Sequence, residues 1–432
     1  MKLVLGLGLT GLSIVRFLQK QNIAYRIADS RAHPPLLAEY NNQHSDVVPI
    51  LGDWDQTLLE GIDEIFISPG IAQSEAIVIW AQAKNISIVS DIELFSRYAK
   101  APVVGITGSN GKSTVTQLLG EMIANSGKKV EIGGNIGKPA LDCLNNDVDY
   151  YVLELSSYQL DYTSNLSLLT GVVLNITPDH LDRYRDFEQY VDSKLSLYRY
   201  CQHLVINLDE ALVPAKSSAK HFGVDMPKNP QDFGTVTCHG SCYFLKGDDV
   251  LMYVGDMQLI GEHNVTNVLA ALALGDQIGL DVDSMVASIK AFKGLEHRLE
   301  WVVKKQGIDY YNDSKATNVV STITAINALV TRHENIVLIA GGVAKEEDYS
   351  ALFELIDKDV ASVILIGQSA QLFDQNLNVA QVTFADSLEE AVDLSSTMLN
   401  DGVVLFSPAC ASFDMFDNFE QRGLAFKRAV VG

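Results

Sequence analysis

Val103-Val104-Gly105-Ile106-Thr107-Gly108-Ser109-Asn110-Gly111-Lys112-Ser113-Thr114 is the stretch around which the rest of the chain can be read. A short β-branched run enters a glycine-rich turn, and Lys-Ser-Thr then opens an apolar-periodic segment through Leu118, Leu119 and Ile123. Strand, loop and helix in that order make a phosphate-binding loop. Gly108 and Gly111 let backbone N–H groups turn toward one point, where the following helix also directs the positive end of its dipole. Lys112 adds a full charge for the β- and γ-phosphates, and the Ser113 hydroxyl can ligate Mg²⁺. The general pattern has another glycine where Ile106 stands, so the match is to a shortened G-x-x-G-K-[ST] form. A chance Gly-Lys-Ser helix start is the alternative, and the strand before and helix after weigh against it. Residues 108–114 read as an ATP site.

The 432 residues suit two to four domains, three being the midpoint. Apolar content of 47% with 20% charged residues describes a soluble globular protein with ample core. A formal charge of −22 argues against nucleic acid or an anionic membrane as partner, because a binder of phosphate backbones needs a basic face. Residues 3–15 have the apolarity of a signal peptide, but three glycines interrupt them and Arg16 follows directly, so no such peptide is expected. No apolar run approaches the ~18 residues of a membrane helix. The five cysteines are odd in number and scattered, as in a reducing cytoplasm. Cys238 and Cys242 flank His239, yet no second pair stands nearby to close a tetrahedral zinc site.

Residues 1–91 alternate apolar strands with helical patterns. Gly6-Leu7-Gly8-Leu9-Thr10-Gly11 sits between the first strand and helix, and Asp29 ends the next strand. This is a dinucleotide fingerprint in form, but physically it reports only a diphosphate at a helix N-terminus. Any nucleoside diphosphate satisfies it. A helix from Asp91 is broken by Lys100-Ala101-Pro102, and a second α/β unit built on the phosphate loop runs to about residue 295. Tyr150-Tyr151-Val152-Leu153-Glu154 is a buried-type strand that delivers a carboxylate at its end, where a phosphate-loop protein keeps its second metal-side acid. A strand over 170–176 leads into Thr177-Pro178-Asp179-His180-Leu181-Asp182-Arg183, an edge crowded with groups suited to a metal and an anion. A helix over 187–200 carries Lys194, β-hairpins surround Lys246-Gly247-Asp248-Asp249, and an Ala/Leu-rich helix follows Gly261.

From 296 a third α/β unit places three polar loops at strand ends: Asp313-Ser314-Lys315-Ala316-Thr317-Asn318, Gly341-Gly342, and Ser407-Pro408-Ala409-Cys410-Ala411-Ser412. Each precedes a helical pattern, so each offers N–H groups and hydroxyls to an anion. The expected fold is therefore α/β in three domains: a Rossmann-like nucleotide-binding domain over 1–91, a central P-loop domain with a small β-hairpin region over 92–295, and a Rossmann-like C-terminal domain over 296–432.

Together these stretches, with Leu153-Glu154-Leu155-Ser156-Ser157-Tyr158-Gln159-Leu160, His263-Asn264-Val265-Thr266-Asn267, His297-Arg298 and Asn418-Phe419-Glu420-Gln421-Arg422-Gly423, resemble the Mur ligase family over the whole chain. These are cytoplasmic ATP-dependent amide-forming enzymes of peptidoglycan synthesis, and the third-domain strings resemble most the member that adds D-glutamate to UDP-N-acetylmuramoyl-L-alanine. The resemblance implies that Leu9, Thr10, Ser30, Arg31 and Gly70 hold the UDP moiety, and Asn135 and Gln159 the muramoyl part. It implies Asn267 and Arg298 on the adenosine and phosphates, with Asp313 near the ribose. Lys315, Thr317, Lys345, Ser412, Phe413 and Phe419 would frame the D-glutamate, although Phe413 stands where an aliphatic residue is expected and acidic neighbours crowd Lys345. Two Mg²⁺ ions are implied near Ser113, Glu154 and His180, with Lys194 carbamylated beside them. Lys112, His180, Lys194 and Arg298 are the implied catalytic groups, and a monomer is expected.

The chemistry fits the residues. A carboxylate attacks the γ-phosphate of ATP, and an amine attacks the resulting acyl phosphate; the protein supplies positioning and charge neutralisation. A nicotinamide oxidoreductase would leave Lys112, Glu154 and His180 without a task. A sensor using ATP only as a switch would leave the polar third-domain loops unexplained.

Overall fold

The protein is described from a computed structural model covering residues 1–43, 46–179, 183–378 and 381–432. It forms three α/β domains, one on each of three sheets of five, nine and six strands. The chain gathers into two compact units, Met1–Asp256 with Thr266–Lys290, and Met257–Val265 with Ala291–Gly432. The first unit holds the five- and nine-stranded sheets. Met257–Val265, inside the 92–295 segment, packs with the C-terminal unit.

The five-stranded sheet is parallel throughout, with Lys2–Leu5 at its centre between Tyr25–Asp29 and Glu64–Ile67. Leu3, Val4 and Leu5 are fully buried, as a continuous apolar run in a sheet covered on both faces requires. In the nine-stranded sheet Val103–Thr107 lies between Tyr150–Glu154 and Leu168–Val173, all three parallel. Both neighbours therefore end at the edge where the glycine loop begins. The chain crosses from one side of Val103–Thr107 to the other between them, and such a switch point opens a crevice at the strand ends. Phe233–Cys238, Ser241–Lys246 and Asp249–Tyr253 form the expected antiparallel hairpins at the far edge. In the C-terminal sheet Ile308–Asn312, Gly402–Phe406 and Ile336–Gly341 are adjacent and parallel, which sets the three polar loops side by side.

Some elements are shorter than periodicity suggests. The helix expected over 187–200 is Phe187–Leu195 followed by a 3₁₀ turn, Ser196–Arg199. The Ser196 hydroxyl donates to the Ser193 carbonyl at 2.6 Å, a local bond that competes with the regular ladder. The helix from Asp91 ends at Ser96.

That short helix joins the first two domains. Ser90 caps it by accepting from the Glu93 N–H at 3.1 Å and pairs with Thr163 at 2.8 Å. The buried Glu93 carboxylate accepts the Ser164 and Asn165 N–H groups at 2.8 Å each and the Asn165 side-chain amide at 3.0 Å. Burial acts to raise the Glu93 pKa, but these donors and Arg97 outweigh it and hold the carboxyl below its usual range. Glu93→Ala strands the donors and should lower stability by about 2–4 kcal/mol, read from the urea midpoint. A depressed carboxyl contributes stability that is complete above its unfolded pKa and lost as pH falls through the folded one. The difference between wild type and variant should thus hold steady near neutral pH and shrink below about pH 4.3.

Candidate active site

The loop after Val103–Thr107 is shaped by two glycines that other residues cannot replace. Gly111 has φ 83°, and a Cβ there would collide with the Asn267 side chain. Gly108 has φ 154°, with Leu174 directly behind it. Asn175 clamps the outer turn from the neighbouring strand end: its carbonyl oxygen accepts the Asn110 N–H at 2.8 Å and its amide donates to the Asn110 carbonyl at 3.1 Å. The Ser109 hydroxyl meets the Tyr190 hydroxyl at 2.9 Å. Helix Lys112–Asn125 then starts with its N–H groups facing the loop, and Ser113 and Thr114 are buried on its first turn.

Glu154 reaches the same point from the next strand. It accepts the Ser113 hydroxyl at 2.7 Å and the Asn135 amide at 2.9 Å. A hydroxyl and a carboxylate in contact are the hard oxygen donors Mg²⁺ takes, leaving most of its octahedron to water and phosphate oxygens. Among the described residues no group of three His, Cys, Asp or Glu side chains is gathered for a metal. His180 lies outside the described residues. Asn135, expected at the muramoyl group, is thus joined to the acid.

Lys194 is 2% exposed and donates to the Gly108 carbonyl at 2.9 Å, with its ammonium 4.7 Å above the Tyr190 ring. Lys112 donates to that same carbonyl at 2.8 Å and to the Ser109 carbonyl at 2.9 Å. Burial, and then the charge of Lys112, pull the Lys194 amine down to about 7, against the opposing pull of Asp179, Glu154 and Asp161.

In the first domain, helix Leu9–Lys20 starts at Gly8 with exposed Leu9 and half-buried Thr10 at its mouth. A Cβ on Gly11 would strike the Gly6 carbonyl, so the third glycine of the motif is a close-packing requirement. Asp29 accepts the Leu7 N–H at 2.7 Å and a two-pronged Arg31 guanidinium at 2.8 and 2.7 Å. Burial would raise the Asp29 pKa, yet these partners keep it low. The carboxylate that would hold a ribose diol in a dinucleotide site is already committed, and one edge of Arg31 with it. Ser30 and Gly70 are exposed beside this edge. Gln159 is 2% exposed: its carbonyl accepts the Ser156 N–H at 3.1 Å in a capping box, and its amide donates to buried Asp91 at 3.1 Å. Arg183 stacks 3.9 Å over Tyr158, donates to the Ile71 carbonyl at 2.8 Å, and borders a cavity of about 330 Å³.

In the C-terminal unit Asp313 accepts the Leu299 N–H at 3.0 Å and the Ser407 hydroxyl at 2.7 Å. Burial raises its carboxyl to about 7 in spite of those bonds and of Arg298. Arg298 borders a cavity of about 500 Å³ with Asn264, Tyr311 and Trp301. Lys315 holds its ammonium 5.2 Å from the Phe419 ring, and the Thr317 N–H returns to the Lys315 carbonyl at 2.9 Å. Val343 and Ala411 exchange two backbone bonds of 2.9 Å, which sets the loop carrying exposed Lys345 against the loop carrying buried Ser412. Phe413 is 74% exposed. Sequence spacing assigned no role to Asn175 or Tyr190, and it showed Ser314 and Arg422 only as members of longer strings. Asn175 stood at a recognised strand end, which was the available signal; the others act through contacts that no spacing encodes.

Three family models match the chain: a Mur ligase MurD-like N-terminal domain over residues 1–90, a Mur ligase middle domain over 106–275, and a Mur ligase glutamate ligase domain over 297–410. The UDP-N-acetylmuramoylalanine--D-glutamate ligase of Nitrosococcus oceani is 43% identical over 434 residues, covering 99% of this chain and 95% of that protein. Its counterpart in Marinobacter nauticus is 43% identical over 436 residues, covering 100% and 98%. Among solved structures, UDP-N-acetylmuramate-alanine ligase MurC from Thermotoga maritima superposes with a TM-score of 0.61 at 16% identity, over 100% of this chain and 98% of that one.

The Asn175 clamp leads to an expectation. Asn175→Ala removes both side-chain bonds to Asn110 and leaves the backbone bond from the Ser109 N–H to the residue 175 carbonyl. It should weaken ATP binding by roughly tenfold, about 1.4 kcal/mol, in calorimetric titration. An unchanged affinity would show that the loop holds its shape without the clamp.

Proposed function

The chain belongs to the Mur ligase family, and we infer that it joins D-glutamate to UDP-N-acetylmuramoyl-L-alanine at the expense of ATP, forming ADP, in peptidoglycan precursor synthesis. The observation that carries this is similarity over nearly the whole chain, at 43% identity, to ligases named for that reaction. No helix among the described residues is long and apolar enough to cross a membrane. Substrates that are soluble nucleotides and an amino acid fit the cytoplasm.

The residues support the following course. The substrate carboxylate attacks the γ-phosphorus, ADP leaves, and an acyl phosphate forms. The amine lone pair then attacks the acyl carbon, the tetrahedral intermediate expels phosphate, and the nitrogen gives up a proton. Lys112 and the loop N–H groups neutralise the phosphates, and in this reading Lys112 exchanges its two carbonyl partners for phosphate oxygens. Ser113 and Glu154 would hold Mg²⁺, which supplies charge neutralisation at the phosphates. By the family resemblance Asn267 and Arg298 would contact the adenosine and phosphates, with Asp313 near the ribose. The glycine loop of the first domain takes uridine diphosphate in preference to a dinucleotide, because Asp29 is already engaged with Leu7 and Arg31. Lys315, Lys345, Thr317 and Ser412 make an anion trap for a dicarboxylate, each charge-assisted bond contributing about 1.5–3 kcal/mol.

Phosphate release in the presence of UDP-N-acetylmuramoyl-L-alanine should respond to D-glutamate, and not to L-glutamate, meso-diaminopimelate or L-alanine. Turnover with meso-diaminopimelate alone would move the chain to a different branch of the family.

Lys194 carries a second expectation. As an ammonium it would share the Gly108 carbonyl with Lys112 and repel a metal at Glu154. In the carbamylated form the neutral amine's lone pair attacks CO₂, an N–C bond forms, one C=O π pair moves to oxygen, and a proton leaves for water. The cation becomes an anion whose two oxygens can face Mg²⁺. Lys194→Ala should lose most activity, at least about a hundredfold, and short carboxylic acids should restore part of it. A fully active alanine variant would end the idea.

A further inference from the structure

Arg422 is 1% exposed and heads the largest fully buried side chains of the protein. Burying a guanidinium is expensive unless a carboxylate pairs with it. Among the described residues no ion pair of Arg422 occurs within 4.0 Å; its donors go to neutral oxygens. Nε donates to the Ser314 hydroxyl at 3.1 Å, one terminal nitrogen to the Ser314 carbonyl at 2.8 Å, and the other to the Cys410 carbonyl at 3.0 Å. Burial lowers its pKa only to about 10, so it stays charged at neutral pH.

These acceptors belong to two loops already described. Ser314 precedes Lys315, and Cys410 stands two residues before Ser412. The Ser314 hydroxyl in turn donates to the Phe419 carbonyl at 2.8 Å, and Phe419 provides the ring beneath the Lys315 ammonium. Gly342, on the loop that leads to Lys345, approaches so closely that a Cβ there would lie 3.3 Å from the guanidinium. One rigid, planar donor fork thus bonds the backbone of the Lys315 and Ser412 loops and lies close behind Gly342 of the loop that leads to Lys345. A structural cross-link alone could use a neutral amide; a buried guanidinium hydrogen-bonded only to neutral oxygens, with the Asp414 carboxylate near it but not paired, also favours a dianion nearby.

We propose that Arg422 is the positioning residue of the amino-acid site: it sets the spacing between the Lys315 and Ser412 loops and leaves a positive potential that the acceptor's carboxylates complete. The inference rests on the reading of the third domain as the acceptor's site. Arg422 acts through these loops and does not touch the reacting atoms.

The test is steady-state kinetics of the full-length enzyme, with the acceptor of the wild type first identified from the four amines above. Arg422→Met should raise the KM for that acceptor at least tenfold, while the KM values for ATP and UDP-N-acetylmuramoyl-L-alanine change less than about threefold. Acyl-phosphate formation, trapped with hydroxylamine in the absence of acceptor, should persist. Arg422→Lys keeps the charge but lacks the planar fork whose two terminal nitrogens serve the Ser314 and Cys410 carbonyls separately, and should recover only part of the loss. Ser314→Ala, which removes one acceptor and the tie to Phe419, should raise the same KM threefold to tenfold, and it decides the matter if Arg422→Met does not fold in a thermal melt. An unchanged acceptor KM in the folded variants, or a uniform fall in kcat with every KM unmoved, would overturn the proposal. If the wild type prefers another amine, the reading of D-glutamate fails while the KM comparison still judges Arg422.

Discussion

Two ammonium groups, Lys112 and Lys194, donate to the single carbonyl oxygen of Gly108. Burial first, and then the charge of Lys112, lower the pKa of Lys194 to about 7. The arrangement holds because the backbone around it cannot relax. Gly111 is in the left-handed region against Asn267, Asn175 grips the turn on both sides, and Tyr190 meets Ser109 from the helix that carries Lys194. A loop stiffened in this way presents positive potential at a fixed point, which is what a polyphosphate requires.

Among the described residues, buried charges differ in how they are partnered. Asp29 and Arg31 form a two-pronged pair, and the Asp276 carboxylate ties Lys220 to Lys246. Glu93 is saturated by three N–H donors and joins a short helix to a turn. Lys194 and Arg422 are the contrasting cases, cations taken from water and held by carbonyl and hydroxyl oxygens.

Much of this was legible in the residues. Apolar β-branched runs ending in glycine or in a polar cluster told where strands stop and loops begin, and the three sheets follow those runs. Strand-end position was legible too: Glu154 closes its strand, and Asp313 and Ser412 lie in the loops that follow theirs. The partners of a polar group were not legible in the residues: the Gln159 amide serves a helix cap and Asp91, and the Asn135 amide meets Glu154.

By itself the sequence determined the fold class, the phosphate loop and the family, because these rest on local patterns: glycines where φ must be positive, a lysine at a helix start, period-two and helical apolar repeats. Tertiary structure alone decided which polar groups are balanced. Ser314 and Cys410 are 96 residues apart, and only the parallel pairing of Ile308–Asn312 with Gly402–Phe406 brings their loops within reach of one guanidinium. Lys194 likewise reads as an ordinary helix lysine until the sheet carries Gly108 to it across 86 residues. Burial and pairing are properties of the packed chain, and they decide whether a charged side chain is scaffold or site.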